Sequence, residues 1–214
     1  MPARWSVEYD EEGQPACEPV DLATARAHLR VNEGYADDDS IIALYLQAAR
    51  EWVEDYINRT LITSTRVLWY DTFAPAEGWP ATLWIPYGPV QTINKLSYFD
   101  PGGTETELTV GLTDDGVVDV VLDKSAFAPR IVPRYNRPWP ISKIFIKQVK
   151  VNYDCGYGNA PKDVPAAIRS AVLLRLTDLY EYRSDSVAGA TFARTQAAER
   201  LLANYRDHSN YSGD

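Results

Sequence analysis

The sequence predicts an α+β fold in which N- and C-terminal helices form a helical bundle and a small β-sheet or barrel lobe is inserted between them. Of the 14 prolines, 11 lie between Pro75 and Pro165, and none lies in residues 20–74 or 166–214. Proline is excluded from helix interiors and central strands, so the proline-free ends favour helices. In those ends apolar residues recur every three or four positions, whereas the middle consists of short β-prone runs separated by turns.

The N-terminal part of the bundle is predicted over residues 18–60. Asp21 can cap a short first helix that buries Leu22, Ala25 and Leu29. A longer helix follows the acidic run at residues 37–39, with an apolar stripe formed by Ile42, Tyr45, Ala49, Trp52 and Tyr56. The acidic run favours a helix N-terminus over a cation site, because it lacks the alternating ligands and sixth-position glycine of an EF-hand loop.

The C-terminal part of the bundle is predicted over residues 154–184. Its helix is expected to open at Asp163-Val164-Pro165, with one face formed by Ile168, Val172, Leu176 and Leu179. Ser184–Thr191 is small and polar, which is typical of a hinge. A shorter helix over Phe192–Arg206 is therefore predicted to be hinged, within a C-terminal segment of residues 185–214.

The inserted β lobe is predicted over residues 61–153. A hairpin turn is indicated at residues 100–103, and the proline-rich Pro129–Ser142 is expected to be an extended loop or an edge. The candidate strands are Thr65–Tyr70, Thr82–Ile85, Thr92–Phe99, Thr106–Val110, Val117–Leu122 and Ile144–Tyr153.

Charge is distributed unevenly along the chain, whose formal net charge is −9. Residues 1–60 contain 13 acidic and 5 basic residues, and residues 1–17 form an acidic leader. An acidic chain is not expected to hold DNA phosphates over its whole surface. Two cysteines and two histidines, with no metal-binding or catalytic motif, predict no metal site, no cofactor, no catalytic residues and no enzymatic activity. No apolar run has the ~20 residues of a membrane span.

One stretch in the β lobe is basic instead. It contains no acidic residue, and an aromatic side chain follows two of its arginines. Such a stretch can contact DNA or an acidic neighbour, or it can simply be a solvated edge that discourages aggregation. Its members are Lys124, Arg130, Arg134, Arg137, Lys143, Lys147 and Lys150.

Short motifs in a fixed order indicate a family. They are Glu18-Pro19-Val20-Asp21-Leu22, Ala27-His28-Leu29-Arg30-Val31, Asp38-Asp39-Ser40-Ile41-Ile42, Ala48-Ala49-Arg50-Glu51-Trp52-Val53-Glu54, Arg59-Thr60-Leu61-Ile62, Ile85-Pro86-Tyr87-Gly88-Pro89-Val90, Tyr98-Phe99-Asp100, Val151-Asn152-Tyr153, Gly156-Tyr157-Gly158, Val164-Pro165-Ala166-Ala167-Ile168-Arg169, Leu179-Tyr180-Glu181-Tyr182-Arg183 and Ala198-Glu199-Arg200-Leu201-Leu202-Ala203-Asn204-Tyr205-Arg206. In this order the motifs resemble the head–tail connector proteins of long-tailed bacteriophages and gene-transfer particles, also called adaptor or head-completion proteins. The resemblance spans about residues 18–206.

This resemblance implies a structural virion protein. The family forms a ring, twelvefold when assembled, which docks on the portal protein after DNA packaging and offers a platform to a stopper or tail-completion protein. Double-stranded DNA passes through the lumen, and an acidic ring is expected to surround it without tight binding. The implied location is the head–tail interface of the virion, and the bacterial host cytoplasm during assembly.

The hinged C-terminal helix is the candidate portal-binding element. We expect it to present its apolar residues to the portal protein and to fold or move on binding. These residues are Phe192, Leu201, Leu202 and Tyr205.

Two alternative functions remain open at this point. The aromatic β lobe could form a carbohydrate-binding or hydrolytic module that uses Trp79, Trp84, Trp139 and an acid pair such as Glu105 and Glu107. The protein could also be another virion ring component, such as a stopper or tail terminator.

Overall fold

The computed structural model describes residues 5–10, 13–31, 37–73, 82–114, 116–124, 128–181 and 196–208. In chain order the elements are β1 (Trp5–Tyr9), α1 (Leu22–Leu29), α2 (Asp39–Ile57), β2 (Ser64–Tyr70), β3 (Leu83–Trp84), β4 (Val90–Phe99), β5 (Glu105–Leu108), β6 (Val110–Gly111), β7 (Val120–Asp123), β8 (Arg130–Pro133), β9 (Val149–Cys155), α3 (Ala166–Glu181) and α4 (Ala197–Leu202). The predicted α+β class is confirmed.

The chain divides into two compact units. The β unit comprises Met1–Pro15, Thr63–Gly156 and Asp207–Asp214, and the helical unit comprises Ala16–Ile62 and Tyr157–Arg206. The chain therefore leaves the helical unit after α2 and returns to it before α3. Among the described residues, no helix is long and apolar enough to cross a membrane.

In the helical unit, all four helices contribute to one apolar core. On α2, Ile42, Leu46, Ala49, Val53 and Ile57 are all buried, and their spacing of three to four residues places them on one face. Helix α1 adds Ala25 and α4 adds Leu202, and the buried residues of α3 are Ile168, Ala171, Val172 and Leu176.

Helix α1 begins as the sequence predicts. The Asp21 carboxylate accepts hydrogen bonds from the Thr24 backbone N (2.7 Å) and hydroxyl (3.0 Å). These bonds to the first turn hold the pKa of Asp21 below its ordinary value. The helix ends at Arg30, which takes a left-handed conformation with φ of 58°.

The acidic run lies at the start of α2, as the sequence predicts, but Asp38, the N-cap residue, does not cap the helix through its side chain. Instead, Asp38 Oδ2 accepts from the Tyr180 hydroxyl at 2.7 Å, and Asp39 Oδ2 pairs with Arg26 Nη1 at 3.0 Å. These acids tie α2 to the helices beside it, because partners on α1 and α3 lie within reach.

The start of α3 differs from the prediction. Asp163 lies in a separate 3-10 turn, Pro161–Asp163, where its carboxylate accepts from the Ala160 backbone N at 3.0 Å. Pro165 precedes the first helical residue of α3, Ala166, and the backbone N of Ile168 donates to the Pro165 carbonyl at 3.0 Å. Asp163 therefore caps the 3-10 turn Pro161–Asp163, which ends before α3 begins at Ala166.

In the β unit, two sheets share one core. The first sheet has the antiparallel order β1-β2-β9-β4-β5, and the second has the order β3-β8-β7-β6, in which β6 and β7 are parallel. Leu68 and Val151 from the first sheet and Leu83 and Ile131 from the second are all fully buried in this core. Burial of this kind is the main stabilising contribution to such a unit.

Three parts of the β unit differ from the sequence prediction. The acidic leader contributes β1, which pairs along its length with β2. Within the predicted loop or edge 129–142, β8 is a central strand between β3 and β7. Pro133 is tolerated there because it is the last residue of the strand. The predicted strand Ile144–Tyr153 begins only at Val149, and residues 144–147 precede it as an exposed loop.

Candidate interaction surfaces

Among the described residues, the most exposed apolar segment is the loop of residues 141–147, here called the apolar loop. Ile144 is 99% exposed, and Ile141, Phe145 and Ile146 are each more than 60% exposed. Three consecutive exposed apolar residues are unusual in a folded domain without a functional reason. The loop therefore has the composition of a surface that another molecule covers.

The apolar loop is fixed at both ends. The Lys143 backbone N donates to the Phe99 carbonyl at 2.9 Å, and the Lys147 backbone N donates to Asp71 Oδ1 at 2.9 Å. The next residue, Gln148, donates its backbone N to the Tyr70 carbonyl at 2.9 Å. These bonds hold the apolar side chains outward on a short, anchored segment.

The exit of the loop carries backbone strain. Lys147 has φ of 54°, in the left-handed region that residues with a Cβ rarely adopt. Such a conformation costs about 1–2 kcal/mol. The Asp71 hydrogen bond to the same residue offsets part of this cost, and the turn at Lys147 separates the loop from the regular ladder of β9.

A second exposed apolar group lies around the β6–β7 connection. Leu112, Val117 and Tyr135 are each more than 60% exposed. Asp114 holds this region together, because its carboxylate accepts from the Tyr135 backbone N at 2.9 Å and pairs with Arg134 at 3.6 Å. This group, here called the β-tip surface, is a second candidate for protein contact.

The basic stretch is largely neutralised within the β unit. Arg130, Arg134 and Arg137 pair with Asp123, Asp114 and Asp119 at 3.0, 3.6 and 2.8 Å. The acids lie outside the stretch in sequence; the β7–β8 register places Asp123 opposite Arg130, and the loops of the fold bring the other two acids to their arginines.

The four lysines of the stretch have different surroundings. Lys147 lies 3.7 Å from Glu8, Lys150 lies over the Trp69 ring and Lys124 donates to the Gln91 carbonyl. Lys143 is exposed on the apolar loop. The structure therefore leaves less net positive charge on this surface than the sequence suggests.

One face of α2 is exposed and acidic. Its members are Leu44, which is 60% exposed, and the exposed polar residues Gln47, Glu51 and Asp55, which follow at intervals of three or four residues. We call this the acidic face of α2. It places one exposed leucine among carboxylates.

The predicted portal-binding residues occupy different environments. Leu202 is fully buried in the core of the helical unit, and Tyr205 is partly buried against the same core. Leu201 is 37% exposed. Phe192 lies outside the described residues. In this structure α4 packs on the core of the helical unit through Leu202 and leaves Leu201 partly exposed to solvent.

A buried ionic network supports α2 from within, although the sequence reasoning did not identify it. Arg50, with a side chain only 5% exposed, bonds to Glu54 and to Glu18, each at 2.9 Å. Glu54 Oε1 also accepts from the Leu61 backbone N at 2.8 Å. Burial raises the pKa of Glu18, although the neighbouring Arg50 opposes this shift. The sequence did contain one signal of this network, because Arg50 and Glu54 are four residues apart on a predicted helix and can therefore form an ion pair.

The two described tryptophans of the carbohydrate hypothesis, Trp84 and Trp139, each contact another side chain of the β unit. Trp139 stacks on Phe73 with ring centroids 4.7 Å apart, and Arg130 lies 5.8 Å from the centroid of Trp84. Trp79 lies outside the described residues. Of the acid pair, Glu105 bonds to Lys95 at 2.8 Å, which lowers the pKa of Glu105. No cluster of metal-ligating side chains occurs in the described ranges.

Comparisons with known proteins agree with the motifs. Residues 19–98 match the family of phage gp6-like head-tail connector proteins. A comparison with curated proteins gives no match. Among solved structures, a chain in the neck of an empty GTA particle computed with C6 symmetry has a TM-score of 0.73 and 23% identity, covering 94% of this chain and 95% of that chain.

Two further solved structures share the fold. A chain in the virion of a native gene transfer agent (GTA) particle has a TM-score of 0.69 and 21% identity, covering 94% of each chain. A chain in the neck of a native GTA particle computed with C12 symmetry has a TM-score of 0.69 and 22% identity, also covering 94% of each. The resemblance to head–tail connector proteins is therefore confirmed, by the family match over residues 19–98 and by a fold shared over nearly the whole chain.

Proposed function

We propose that this protein is a structural component of a phage-like virion, a head–tail connector that assembles into a ring between the portal and the tail. The observation that carries the proposal is the connector-family match over residues 19–98. The fold shared with chains from GTA particle necks supports the same assignment. In this role the protein acts by docking and not by catalysis.

The proposed assembly is a ring of twelve copies, as the C12 symmetry of the similar neck structure suggests. It docks on the portal protein after DNA packaging and provides the platform for a stopper or tail-completion protein. The helices act as one bundle, and assembly takes place in the bacterial cytoplasm. Two exposed apolar surfaces, the apolar loop and the β-tip surface, are consistent with contacts to more than one neighbour.

In this proposal DNA passes through the ring without being held tightly. The formal charge of −9 and the internal pairing of Arg130, Arg134 and Arg137 leave few cations for phosphates. We expect no tight binding of duplex DNA at physiological salt. Retention of a labelled duplex by the assembled ring at that salt would contradict this part of the proposal.

The portal contact is assigned to the C-terminal segment. Because Leu202 belongs to the core, deleting the segment would disturb the fold as well as the contact. A sharper variant is Leu201→Glu, at an exposed position of α4. The matched control is Gln196→Glu, an exposed residue before the same helix with the same change of charge.

The test mixes purified full-length protein with portal rings and scores decorated rings by electron microscopy. We expect the native chain and the Gln196→Glu control to decorate portal rings, and Leu201→Glu to decorate them at least tenfold less. Absence of decoration by the native chain would refute the connector assignment. Equal decoration by all three would refute only the role of Leu201.

A further inference from the structure

We infer that the apolar loop of one copy packs on the acidic face of α2 of the neighbouring copy in the ring. The inference rests on the proposed ring assembly and names the surfaces that form it. The partner that covers the apolar loop is thus a second copy of this chain.

The loop has the properties of one side of a preformed interface. Ile144, Phe145 and Ile146 are solvent-exposed, while hydrogen bonds to Phe99 and Asp71 anchor the segment that carries them. An anchored loop loses little conformational entropy when a partner covers it. The exposed apolar side chains then gain the free energy of burial.

A ring requires two different surfaces on each copy. In a head-to-tail ring each subunit offers one patch to the neighbour on one side and a dissimilar patch to the other, unlike a twofold dimer. The chain offers such a pair: a loop on the β unit and a helix face on the helical unit.

The two surfaces complement each other in charge and in apolar character. Lys143 is exposed on the apolar loop, whereas Glu51 and Asp55 are exposed on the acidic face of α2. Each surface also carries exposed apolar side chains, with Leu44 as the large one on the helix. Complementary charges around an apolar centre set the register of an interface and suppress wrong pairings.

Other occupants fit the loop less well. A second loop would bring Lys143 against its own copy, which like-charge repulsion disfavours. Duplex DNA would gain little from Ile144 and Phe145, because its affinity for proteins comes mainly from phosphate contacts. Packing on the portal protein is the remaining alternative, and the experiment below separates it from the proposal.

The experiment uses disulfide trapping between two populations of full-length chain. One population carries Ile144→Cys and the other Leu44→Cys, both with Cys17→Ser to remove the partly exposed thiol. Because each new cysteine is on a different molecule, a mixed disulfide reports only contact between copies. The matched control replaces Leu44→Cys by Leu201→Cys, another exposed apolar helix position. Mixtures are oxidised in solution and on portal rings, and circular dichroism checks the fold.

We expect the 144–44 mixture to give at least tenfold more crosslinked dimer than the 144–201 control. Absence of the 144–44 crosslink in both preparations overturns the inference, and decoration of portal rings in that case leaves the connector assignment intact. Crosslinking in solution without portal decoration supports the inference and counts against the connector assignment. Crosslinking of Ile144→Cys to the portal protein instead assigns the loop to the portal.

A charge swap provides a second measurement. Lys143→Glu should weaken self-association about tenfold, as measured by sedimentation, and Asp55→Lys in the same chain should restore it. Both positions are exposed, so the fold is not expected to change. Failure of Asp55→Lys to rescue Lys143→Glu would contradict the proposed pairing.

Discussion

An ionic network in the helical unit and an ion pair in the β unit differ in how far their charges are exposed to water. In the helical unit, Arg50 and Glu54 are each only 4% exposed and bond to each other and to Glu18. In the β unit, ion pairs such as Arg137 with Asp119 lie at the surface, with side chains 57% and 27% exposed. The Arg50–Glu54 pair is therefore shielded from water and the Arg137–Asp119 pair is not, so removing the arginine should have very different effects in the two places.

The largest effect is expected at the buried network. Replacing Arg50→Ala removes the partner of the Glu54 carboxylate, which is shielded from water, and that of Glu18, whose side chain is 29% exposed. Breaking a buried pair in this way costs about 3–5 kcal/mol. Urea unfolding followed by circular dichroism measures this loss, with exposed Arg30→Ala on α1 as the control. A loss below about 1 kcal/mol would mean that the network behaves like a surface pair.

The helical unit and the β unit also differ in how much of their structure could be predicted from the sequence. The position of α2 could be predicted from five apolar residues because its amphipathic repeat continues through a 19-residue helix. The pairing of β1 with β2 could not be predicted in the same way, because Trp5 and Tyr70 lie far apart in the chain and only the fold brings them together. Local periodicity identifies an element, but long-range pairing decides whether an acidic leader becomes a strand.

The candidate surfaces likewise combine features that can be read from the local sequence with features that depend on the fold. The arginines of the basic stretch were evident in the sequence, but Asp114, Asp119 and Asp123, which neutralise them, lie outside it and are brought opposite by the fold. The run from Ile144 to Tyr153 is β-prone throughout, so its pattern predicts one strand. The positive φ of Lys147 and its bond to Asp71 separate an exposed loop from the strand, and neither can be read from local sequence.

An intermediate loss of stability is expected at the cap of α1, where Asp21 is exposed at the surface of the helical unit. Asp21→Ala removes the bonds to Thr24 and should cost about 1 kcal/mol. Asp37→Ala is the matched control, because it removes an exposed carboxylate just before α2. Equal losses in the two variants would show that general charge, and not capping, is responsible.

The cap also predicts a pH dependence. Because the folded-state pKa of Asp21 is lowered, its contribution is present above the ordinary value of 3.8 and is lost as pH falls through the folded-state pKa. The difference in free energy of unfolding between the native chain and Asp21→Ala should therefore shrink in acid. A difference that stayed constant down to the folded-state pKa would contradict this linkage.

The smallest effect is expected at the surface pair of the β unit. Arg137→Ala should cost about 0.2–1 kcal/mol, because the pair is solvated and its attraction is screened. Raising the salt concentration to about 1 M should remove most of that difference, since the screening length then falls to about 3 Å. The corresponding loss for Arg50→Ala should persist in the same salt, because water and ions do not reach the buried network.

Asp119 itself should remain acid-sensitive in the Arg137→Ala variant. Its pKa is lowered first by the bond from the Thr109 backbone N, at 3.0 Å, and then by the Thr109 hydroxyl, with Arg137 a lesser cause. Its contribution to stability is present above pH 3.8 and is lost as pH falls through the folded-state pKa. NMR titration of the Asp119 carboxyl in both chains measures this directly. A return of its pKa to the ordinary value in Arg137→Ala would show that the arginine, and not the backbone of the neighbouring loop, holds the carboxylate in its charged form.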